Sequence, residues 1–342
     1  MKFGLLFSHQ IPPDSGIPWN EPYQDVLRCL PRAEELGYVS ALQVSHHVQK
    51  DGLCPGPLVA LGAAAAVTRR MRIGTGILLV PLYAPLKLAE DVAVLDNVSN
   101  GRFIFGVAPG YVSEEFAAYG VPRNQRVGRL EESLDLMTLA WREERFSFDG
   151  RYYRIPEACV TPKPVQKPHP PIWYGVSAPG SIRRAARRRA VLVASPRHGI
   201  TELKEHFRIY DEAAREIGFQ PAERPVIRQV FVAATRKEAE RVAEPAASYL
   251  YRELYGAKSA QGDRELRTDD GHLITDRRQA TFEALKDRFA IGGPDDVYES
   301  LHRCQTELGA TELICWMHMP GICGEDAMRS VEIFAKEVMP RF

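Results

Sequence analysis

The feature that most constrains this chain is a serial alternation of short apolar runs, rich in β-branched residues, with longer segments of helical period. This pattern predicts parallel strands joined by crossover helices. Eight such runs are present, which is the number that closes a (β/α)8 barrel. Periodicity alone does not distinguish this barrel from an open doubly wound sheet. The predicted strands cover residues 2–8, 38–45, 71–80, 102–108, 171–176, 190–195, 225–233 and 311–318.

The segments between these runs predict helices on the outside of the sheet. A length of 342 residues suits one large α/β barrel, so we expect a single domain over residues 1–342. The predicted helices cover residues 23–36, 57–68, 86–98, 125–143, 181–189, 202–217, 237–255, 279–290, 295–308 and 325–338.

Two segments depart from the alternation. Residues 144–170 combine aromatic residues with five prolines, so we expect irregular surface chain there. Residues 256–278 are polar and charged, which predicts a long insertion. The sequence leaves open whether this insertion is an active-site lid or a decorative surface loop.

Charge and cysteine content exclude several classes of protein. The 44 basic and 44 acidic residues balance, so no global field favours nucleic acid or an anionic membrane. The six cysteines form no CxxC pair and no HExxH motif occurs, so we expect no metal site. The short apolar start is unlike a signal peptide, and no stretch approaches the ~20 apolar residues of a membrane span. We therefore expect a cytoplasmic enzyme that acts on a small molecule.

Two adjacent histidines, His46 and His47, follow the second predicted strand. The carboxyl ends of the strands form the catalytic face of a (β/α)8 barrel. Histidines at that face can act as a general base and a hydrogen-bond donor. Alternatively, the two histidines lie in a loop and have no catalytic role.

Glycines and hydroxyl residues mark the ends of three more strands. Gly74-Thr75-Gly76 and the run Gly101–Tyr111 offer places where a planar ligand could approach the backbone, although a tight turn explains them equally well. Glu114-Glu115-Phe116 follows the second of these runs. Ser177 and Ser181 lead into a helix whose N-terminus suits a phosphate, or serve as an ordinary N-cap.

Further candidates lie downstream. Five arginines between residues 183 and 189 resemble an anion patch, but a solvated helix face is the more common explanation. The last predicted strand carries Trp316 and His318 toward one end, where they could line a flavin or substrate pocket.

Taken in order, these segments resemble the bacterial luciferase-like flavin monooxygenases along nearly the whole chain. The most specific block is residues 72–116. There, Gly74-Thr75-Gly76, Leu88-Ala89-Glu90-Asp91, Gly101-Arg102-Phe103 and Phe105-Gly106-Val107 follow the family pattern with matching spacing. This resemblance favours the closed barrel over the open sheet.

The resemblance implies an enzyme that takes reduced flavin mononucleotide (FMN) from a separate reductase and reacts it with O2 to a flavin hydroperoxide, which oxygenates a small organic substrate. It also implies the residues of the site. His46 and His47 resemble the catalytic histidine motif, and Thr75-Gly76 resembles a place where members often have a non-prolyl cis peptide beneath the flavin ring. By the same resemblance, Arg129 lies near the phosphate, and Ser177 with Ser181 forms the phosphate-binding turn. We therefore expect cofactor binding by Thr75, Gly76, Ala108, Arg129, Ser177, Ala178 and Ser181, and a substrate pocket lined by Tyr111, Trp316 and His318.

The chain also departs from the luciferase pattern. Ser45 stands where a glutamate commonly precedes the two histidines, Ala108-Pro109 replaces a cysteine and an arginine, and Val176 replaces an acidic residue. Light emission from a long-chain aldehyde is therefore not expected. Two alternatives stay open, a deazaflavin-dependent oxidoreductase that transfers hydride and a non-catalytic flavin-binding protein. The family often dimerises near the second and third strands, where Leu58–Val67 is apolar, so we expect a homodimer.

Overall fold

The eight strands of the barrel occupy the positions where the apolar runs predict them. The structure is a computed structural model that describes residues 1–257 and 265–342. The strands in these residues are β1 (Lys2–Phe7), β2 (Ser40–Gln43), β3 (Arg72–Thr75), β4 (Leu78–Leu79), β5 (Phe103–Ala108), β6 (Phe146–Asp149), β7 (Arg154–Ala158), β8 (Ile172–Tyr174), β9 (Val191–Leu192), β10 (Pro225–Val232), β11 (Phe289–Gly292) and β12 (Glu312–His318).

Eight of these strands close into a parallel barrel. Their order around the barrel is β1, β2, β3, β5, β8, β9, β10 and β12, and β12 pairs with both β10 and β1. A parallel bridge between Ala194 and Val226 joins β9 to β10 and completes the ring. The predicted (β/α)8 barrel is therefore confirmed, with the predicted strand 71–80 divided into β3 and β4.

Helices surround the barrel, and several of them begin with proline, whose fixed φ suits the first turn. Among the described residues, no helix is long and apolar enough to cross a bilayer. The helices are α1 (Glu21–Glu35), α2 (Pro57–Val67), α3 (Pro85–Val98), α4 (Ser113–Ala118), α5 (Arg126–Arg142), α6 (Pro179–Arg187), α7 (Ile200–Glu216), α8 (Arg236–Leu250), α9 (Pro294–Leu308) and α10 (Gly324–Ile333).

Two secondary-structure predictions were wrong. The segment 144–170 is not irregular throughout, because β6 and β7 form an antiparallel hairpin before the proline-rich part. The predicted helix 279–290 is instead two short 3-10 turns followed by β11. Phe289–Gly292 is apolar, and it becomes a strand because it pairs with the carboxyl half of β10.

Glycines let the barrel interior pack tightly. Leu42, Ile104 and Trp173 are fully buried in one apolar cluster inside the ring. A Cβ atom at Gly74 would lie 2.7 Å from the side chain of Ile104, and one at Gly175 would lie 2.6 Å from that of Ile77. Small residues on one strand thus make room for large residues on the next, as close-packed interiors require.

A partly buried ion network lies at the amino-terminal end of the barrel. Glu312 is 1% exposed and accepts hydrogen bonds from Ser40 and from the guanidinium of Arg72. Arg72 also pairs with Glu223 at 2.9 Å and lies over the ring of Trp173. Because these charged groups satisfy one another, this end of the barrel is sealed without an unpaired buried charge.

Candidate active site

A cavity of about 690 Å³ opens at the carboxyl ends of the barrel strands. Loops after β2, β3, β5, β8 and β9 supply most of its wall, as expected for the functional face of this fold. Of the predicted site residues, the cavity lining includes His46, Gly76, Ala108, Tyr111, Ser177, Ala178, Ser181 and Trp316.

His46 faces this cavity and is held from behind by a buried carboxylate. Its Nδ1 lies 2.8 Å from Oε1 of Glu115, a residue of α4 that is fully buried. The same Oε1 accepts a hydrogen bond of 2.8 Å from the backbone N–H of His47. A carboxylate in this position fixes the orientation and tautomer of the imidazole. Nε2 of His46 is then the ring nitrogen that remains for a ligand in the cavity.

His47 does not line the cavity. Its Nδ1 is 2.9 Å from the hydroxyl of Tyr119, and its ring packs edge-on against Tyr83 and Tyr119. Burial lowers the pKa of His47, and the charge of neighbouring His46 adds to that effect while Glu115 opposes it. The structure therefore gives the two adjacent histidines different surroundings, because only His46 faces the ligand space.

The interruption of the third strand contains a non-prolyl cis peptide. It joins Gly76 to Ile77, one residue after the predicted position between Thr75 and Gly76. Gly76 and Ile77 line the cavity. Thr75 does not, because its hydroxyl is buried and donates a hydrogen bond of 2.6 Å to the carbonyl of Gly106. Between β3 and β4, the residues that a ligand can contact are thus Gly76 and Ile77.

One end of the cavity is suited to an anion. Ser177, Ala178 and Ser181 lie at the N-terminus of α6, where the helix dipole favours negative charge. Arg126 lines the same cavity and forms no ion pair with the described residues. Burial and the nearby charge of Arg123 lower the pKa of the Arg126 guanidinium.

Arg129, the arginine that the resemblance assigns to the phosphate, does not line the cavity. Its guanidinium lies 5.2 Å and 5.5 Å from the ring centres of Tyr152 and Tyr153, and its Nε donates to Gln125. The helical period explains the difference, since Arg126 lies almost one turn earlier in α5 and projects closer to the strand ends. Sequence analysis did not single out Arg126.

Trp316 lines the cavity, but His318 lies on the other face of the same strand. Leu5 of β1 pairs with Cys315, and Phe7 pairs with His318, so β12 contains one extra residue at this point. Such a bulge breaks the alternation that would keep residues 316 and 318 on one face. Burial lowers the pKa of His318, which lines a separate cavity of about 10 Å³ next to α1 and α10.

A second polar wall comes from residues that sequence analysis did not assign. Arg197, His198 and His206 line the cavity from the region where α7 begins. Although burial alone raises the pKa of Glu202, hydrogen bonds and charge from His198 lower it to about 2. The spacing of His198 and Glu202, four residues apart at a helix start, was the available signal for this wall.

The insertion after α8 contributes to the cavity in the part that is described. Glu265 and Arg267 line it. Buried Arg288 ties this segment to the barrel by pairing with Asp269 at 3.0 Å and with Glu202 at 3.4 Å. Residues 258–264 of the predicted insertion lie outside the described residues.

The family model for luciferase-like monooxygenases matches residues 1–312. The chain belongs to this family. Among curated luciferase-like relatives, the oxygenase component of the flavin-dependent trigonelline monooxygenase of Acinetobacter baylyi is 26% identical over 353 aligned positions, which cover 100% of this chain and 96% of that protein. The chain is accordingly similar to flavin-dependent monooxygenases over its whole length.

Solved structures of luciferase-like enzymes superpose along the entire chain. Monooxygenase RslO1 of Streptomyces bottropensis has a TM-score of 0.87 at 26% identity and covers 100% of this chain and 99% of its own. The oxygenating constituent of 3,6-diketocamphane monooxygenase of Pseudomonas putida, solved with FMN, has a TM-score of 0.82 at 25% identity, covering 100% and 98%. Both similarities support a luciferase-like flavin-dependent monooxygenase.

The same fold also carries a different cofactor. The coenzyme F420-dependent tetrahydromethanopterin reductase of Methanopyrus kandleri has a TM-score of 0.72 at 17% identity and covers 100% of this chain and 99% of its own. At this identity the similarity concerns the fold alone. The choice of cofactor therefore depends on the residues of the cavity.

Proposed function

We propose that this luciferase-like monooxygenase is the oxygenase component of a two-component system in the cytoplasm. It takes reduced FMN from a separate reductase and uses O2 to oxygenate a small organic substrate. The observation that carries the proposal is the His46–Glu115 pair, which faces the same cavity as the anion-binding end at α6. The name of the Acinetobacter relative, an oxygenase component, supports a separate reductase.

The residues of the cavity fit FMN. A volume of about 690 Å³ lies in the range of about 300–1,000 Å³ that holds small ligands and cofactors. Ser177, Ser181 and Arg126 offer hydrogen-bond donors and positive charge to a phosphate. Gly76 carries no side chain, so a planar ring can approach the backbone there. These residues would hold the phosphate at α6 and the ring beside Gly76-Ile77.

Reduced flavin, when bound, supplies the two electrons that activate O2. The chain's own groups would handle protons and water. His46 would move a proton at Nε2, while Glu115 keeps its Nδ1 hydrogen-bonded and its ring in place. Apolar side chains such as Leu79, Leu254 and Trp316 line the cavity and would exclude water from the reacting groups.

Anaerobic titration with reduced FMN, followed by mixing with oxygenated buffer, tests this proposal. We expect saturable binding, and flavin reoxidation that is slower on the protein than in free solution. In the same experiment, His46→Ala should bind reduced FMN within a few-fold of the unchanged chain. Failure of the unchanged chain to bind reduced FMN would contradict the proposal.

The alternative of a deazaflavin-dependent oxidoreductase is distinguished by oxygen. A reductase of that kind would bind the reduced deazaflavin and transfer hydride to substrate without O2 uptake. A non-catalytic flavin-binding protein would bind reduced FMN but leave its reoxidation rate unchanged. The orientation of His46 by a buried carboxylate favours an enzyme over a binding protein.

We also propose that the chain forms a homodimer through α2 and α3. Val59 is 82% exposed, Val98 57% and Val94 47%, and these neighbouring helices thus present apolar side chains to solvent. Exposed apolar patches of this kind commonly mark protein interfaces. Sedimentation analysis should give a dimer for the unchanged chain and a monomer for Val59→Lys combined with Val94→Lys. A monomeric unchanged chain would contradict the proposal.

A further inference from the structure

Positive charge is concentrated in one segment of a chain that is neutral overall. The sequence has 44 basic and 44 acidic residues. Residues 158–201, however, contain two lysines and six arginines and no aspartate or glutamate. This segment includes α6 and the loops on both sides of it, which line the cavity. This segment therefore adds positive charge to one side of the cavity, although the net charge of the chain is zero.

Three arginines of α6 are exposed and unpaired. Arg183, Arg184 and Arg187 are solvent-exposed, and none of them has an ion pair or side-chain hydrogen bond with the described residues. By contrast, Arg188 pairs with Glu131 and, at 2.8 Å, with Asp135. Most other exposed arginines of the helices also have a carboxylate partner, as Arg208 does with Glu205 at 2.6 Å. The three α6 arginines are thus available to an external anion.

Their positions are unfavourable for the helix itself. Arg183 and Arg184 each lie three or four residues before Arg187, and like charges at this spacing destabilise a helix by about 0.2–0.5 kcal/mol per pair. Nη1 of Arg184 lies 3.5 Å from the Cβ position of Gly180, in the first turn of α6. A guanidinium is therefore near the positive end of the helix dipole, where an anion and not a cation is favoured.

We propose that Arg183, Arg184 and Arg187 form a cationic approach to the cavity that captures a ligand with a dianionic phosphate and directs it to the N-terminus of α6. This inference rests on the proposed function, in which that ligand is reduced FMN. Pro179 and Ser181 of the same helix line the cavity, and the three arginines follow them within the nine residues of α6. Solvent-exposed charges add little to a final complex but raise association rates by about 10- to 1,000-fold when they act together. The approach therefore governs the rate of association more than the rate of dissociation.

The test is a stopped-flow measurement of association under anaerobic conditions. The variant Arg183→Gln/Arg184→Gln/Arg187→Gln is compared with the unchanged chain, using reduced FMN and reduced riboflavin, which lacks the phosphate. We expect the variant to bind FMN about tenfold more slowly at low ionic strength, with the two chains converging at high salt because exposed charges are screened. Riboflavin association should be the same for both chains.

A matched control removes the same charge from positions outside α6. Arg69, Arg70 and Arg215 lie before the amino end of β3 or in the last turn of α7, so their replacement by glutamine should leave FMN association within twofold. Equal association rates of FMN for the α6 variant and the unchanged chain at low salt would contradict the proposed role of the three arginines. An equal decrease in the association rate of riboflavin would contradict it as well. If the unchanged chain binds neither flavin, the proposed function itself fails, which is a distinguishable result.

Discussion

At the scale of single residues, the pair of His46 and Glu115 is the arrangement most suited to chemistry. In the luciferase pattern a glutamate commonly precedes the two histidines, and this chain has Ser45 there. Glu115 approaches the histidines from α4 instead, and one of its oxygens contacts both His46 Nδ1 and the backbone N–H of His47. The two histidines thus have a carboxylate partner, which comes from a distant part of the chain and not from the residue before them.

Glu115→Gln tests the importance of that carboxylate. The amide keeps the shape and can still accept a hydrogen bond, but it loses the negative charge that stabilises an imidazolium. We expect turnover to fall about tenfold, and His46→Ala to lower it by 100-fold or more, which is the usual range for a general acid or base. Glu114→Gln, an adjacent replacement of the same kind, is the control in a steady-state assay. Equal turnover for Glu115→Gln and Glu114→Gln would contradict a role for Glu115.

The arginines of α5 separate two assignments of the phosphate site. Arg126 lines the cavity, whereas Arg129 packs on Tyr152 and Tyr153. Charge-assisted hydrogen bonds contribute about 1.5–3 kcal/mol, so Arg126→Gln should weaken reduced FMN binding by tenfold or more. Arg129→Gln should change it by less than threefold. A larger loss for Arg129→Gln, measured by anaerobic titration, would restore the assignment based on resemblance.

At the scale of secondary-structure elements, glycines set how closely the strands and their loops pack. A Cβ atom at Gly106 would overlap the carbonyl oxygen of Thr75 and would lie 2.9 Å from the side chain of Ile77. No side chain can therefore be accommodated at this position. Gly106 therefore belongs to the contact between β3 and β5. The glycines that suggested an approach for a planar ligand serve mainly in packing, and among them Gly76 and Gly110 also line the cavity.

Gly106→Ala should destabilise the fold strongly. The added methyl group meets backbone and not a flexible side chain, so strands must separate, and we expect a loss of about 3 kcal/mol or more. Gly62→Ala is the matched control, because its Cβ would meet nothing within 4 Å in α2. Alanine in a helix interior is favoured over glycine by about 0.5–1 kcal/mol, so that variant should gain stability. Urea unfolding measures both, and a Gly106→Ala variant as stable as the unchanged chain would contradict the packing role.

At the scale of the whole molecule, buried histidines link the fold to pH. Burial lowers the pKa of His9 from 6.5 to about 4 and also lowers the pKa values of His47 and His318. These residues belong to β12 and to the loops after β1 and β2, three neighbouring strands of the barrel. The unfolded chain therefore takes up protons at a higher pH than the folded chain does, and acid favours unfolding.

His9 should contribute the steepest part of this dependence. Its contribution to stability is present above pH 6.5, the ordinary histidine pKa, and is lost as the pH falls toward about 4. A shift of this size corresponds to roughly 3 kcal/mol. Unfolding free energies measured from pH 7 to pH 4 should therefore fall less steeply for His9→Gln than for the unchanged chain. His272→Gln, at an exposed position, should leave the slope unchanged, and identical slopes for all three chains would contradict the prediction.

Much of the fold was determined by the sequence itself. Period-2 and period-3.6 patterns depend on local chain geometry, so the eight strands and most helices could be placed without tertiary information. The same holds for residues at strand ends. His46, Gly76, Ala108, Ser177 and Ser181 line the cavity because the carboxyl ends of parallel strands meet at one face of a barrel.

Only the tertiary structure decided which side chains meet across the chain. Glu115 reaches His46 from 69 residues away, and no local pattern encodes that contact. An extra residue in β12 places His318 on the opposite face of the strand from Trp316. In α5, Arg126 lines the cavity and Arg129 does not, because Arg126 lies closer to the strand ends. Strand pairing likewise formed β11 from residues 289–292, where the predicted helix 279–290 was to end. In each case the deciding energy comes from packing and hydrogen bonds between distant segments, which local periodicity does not contain.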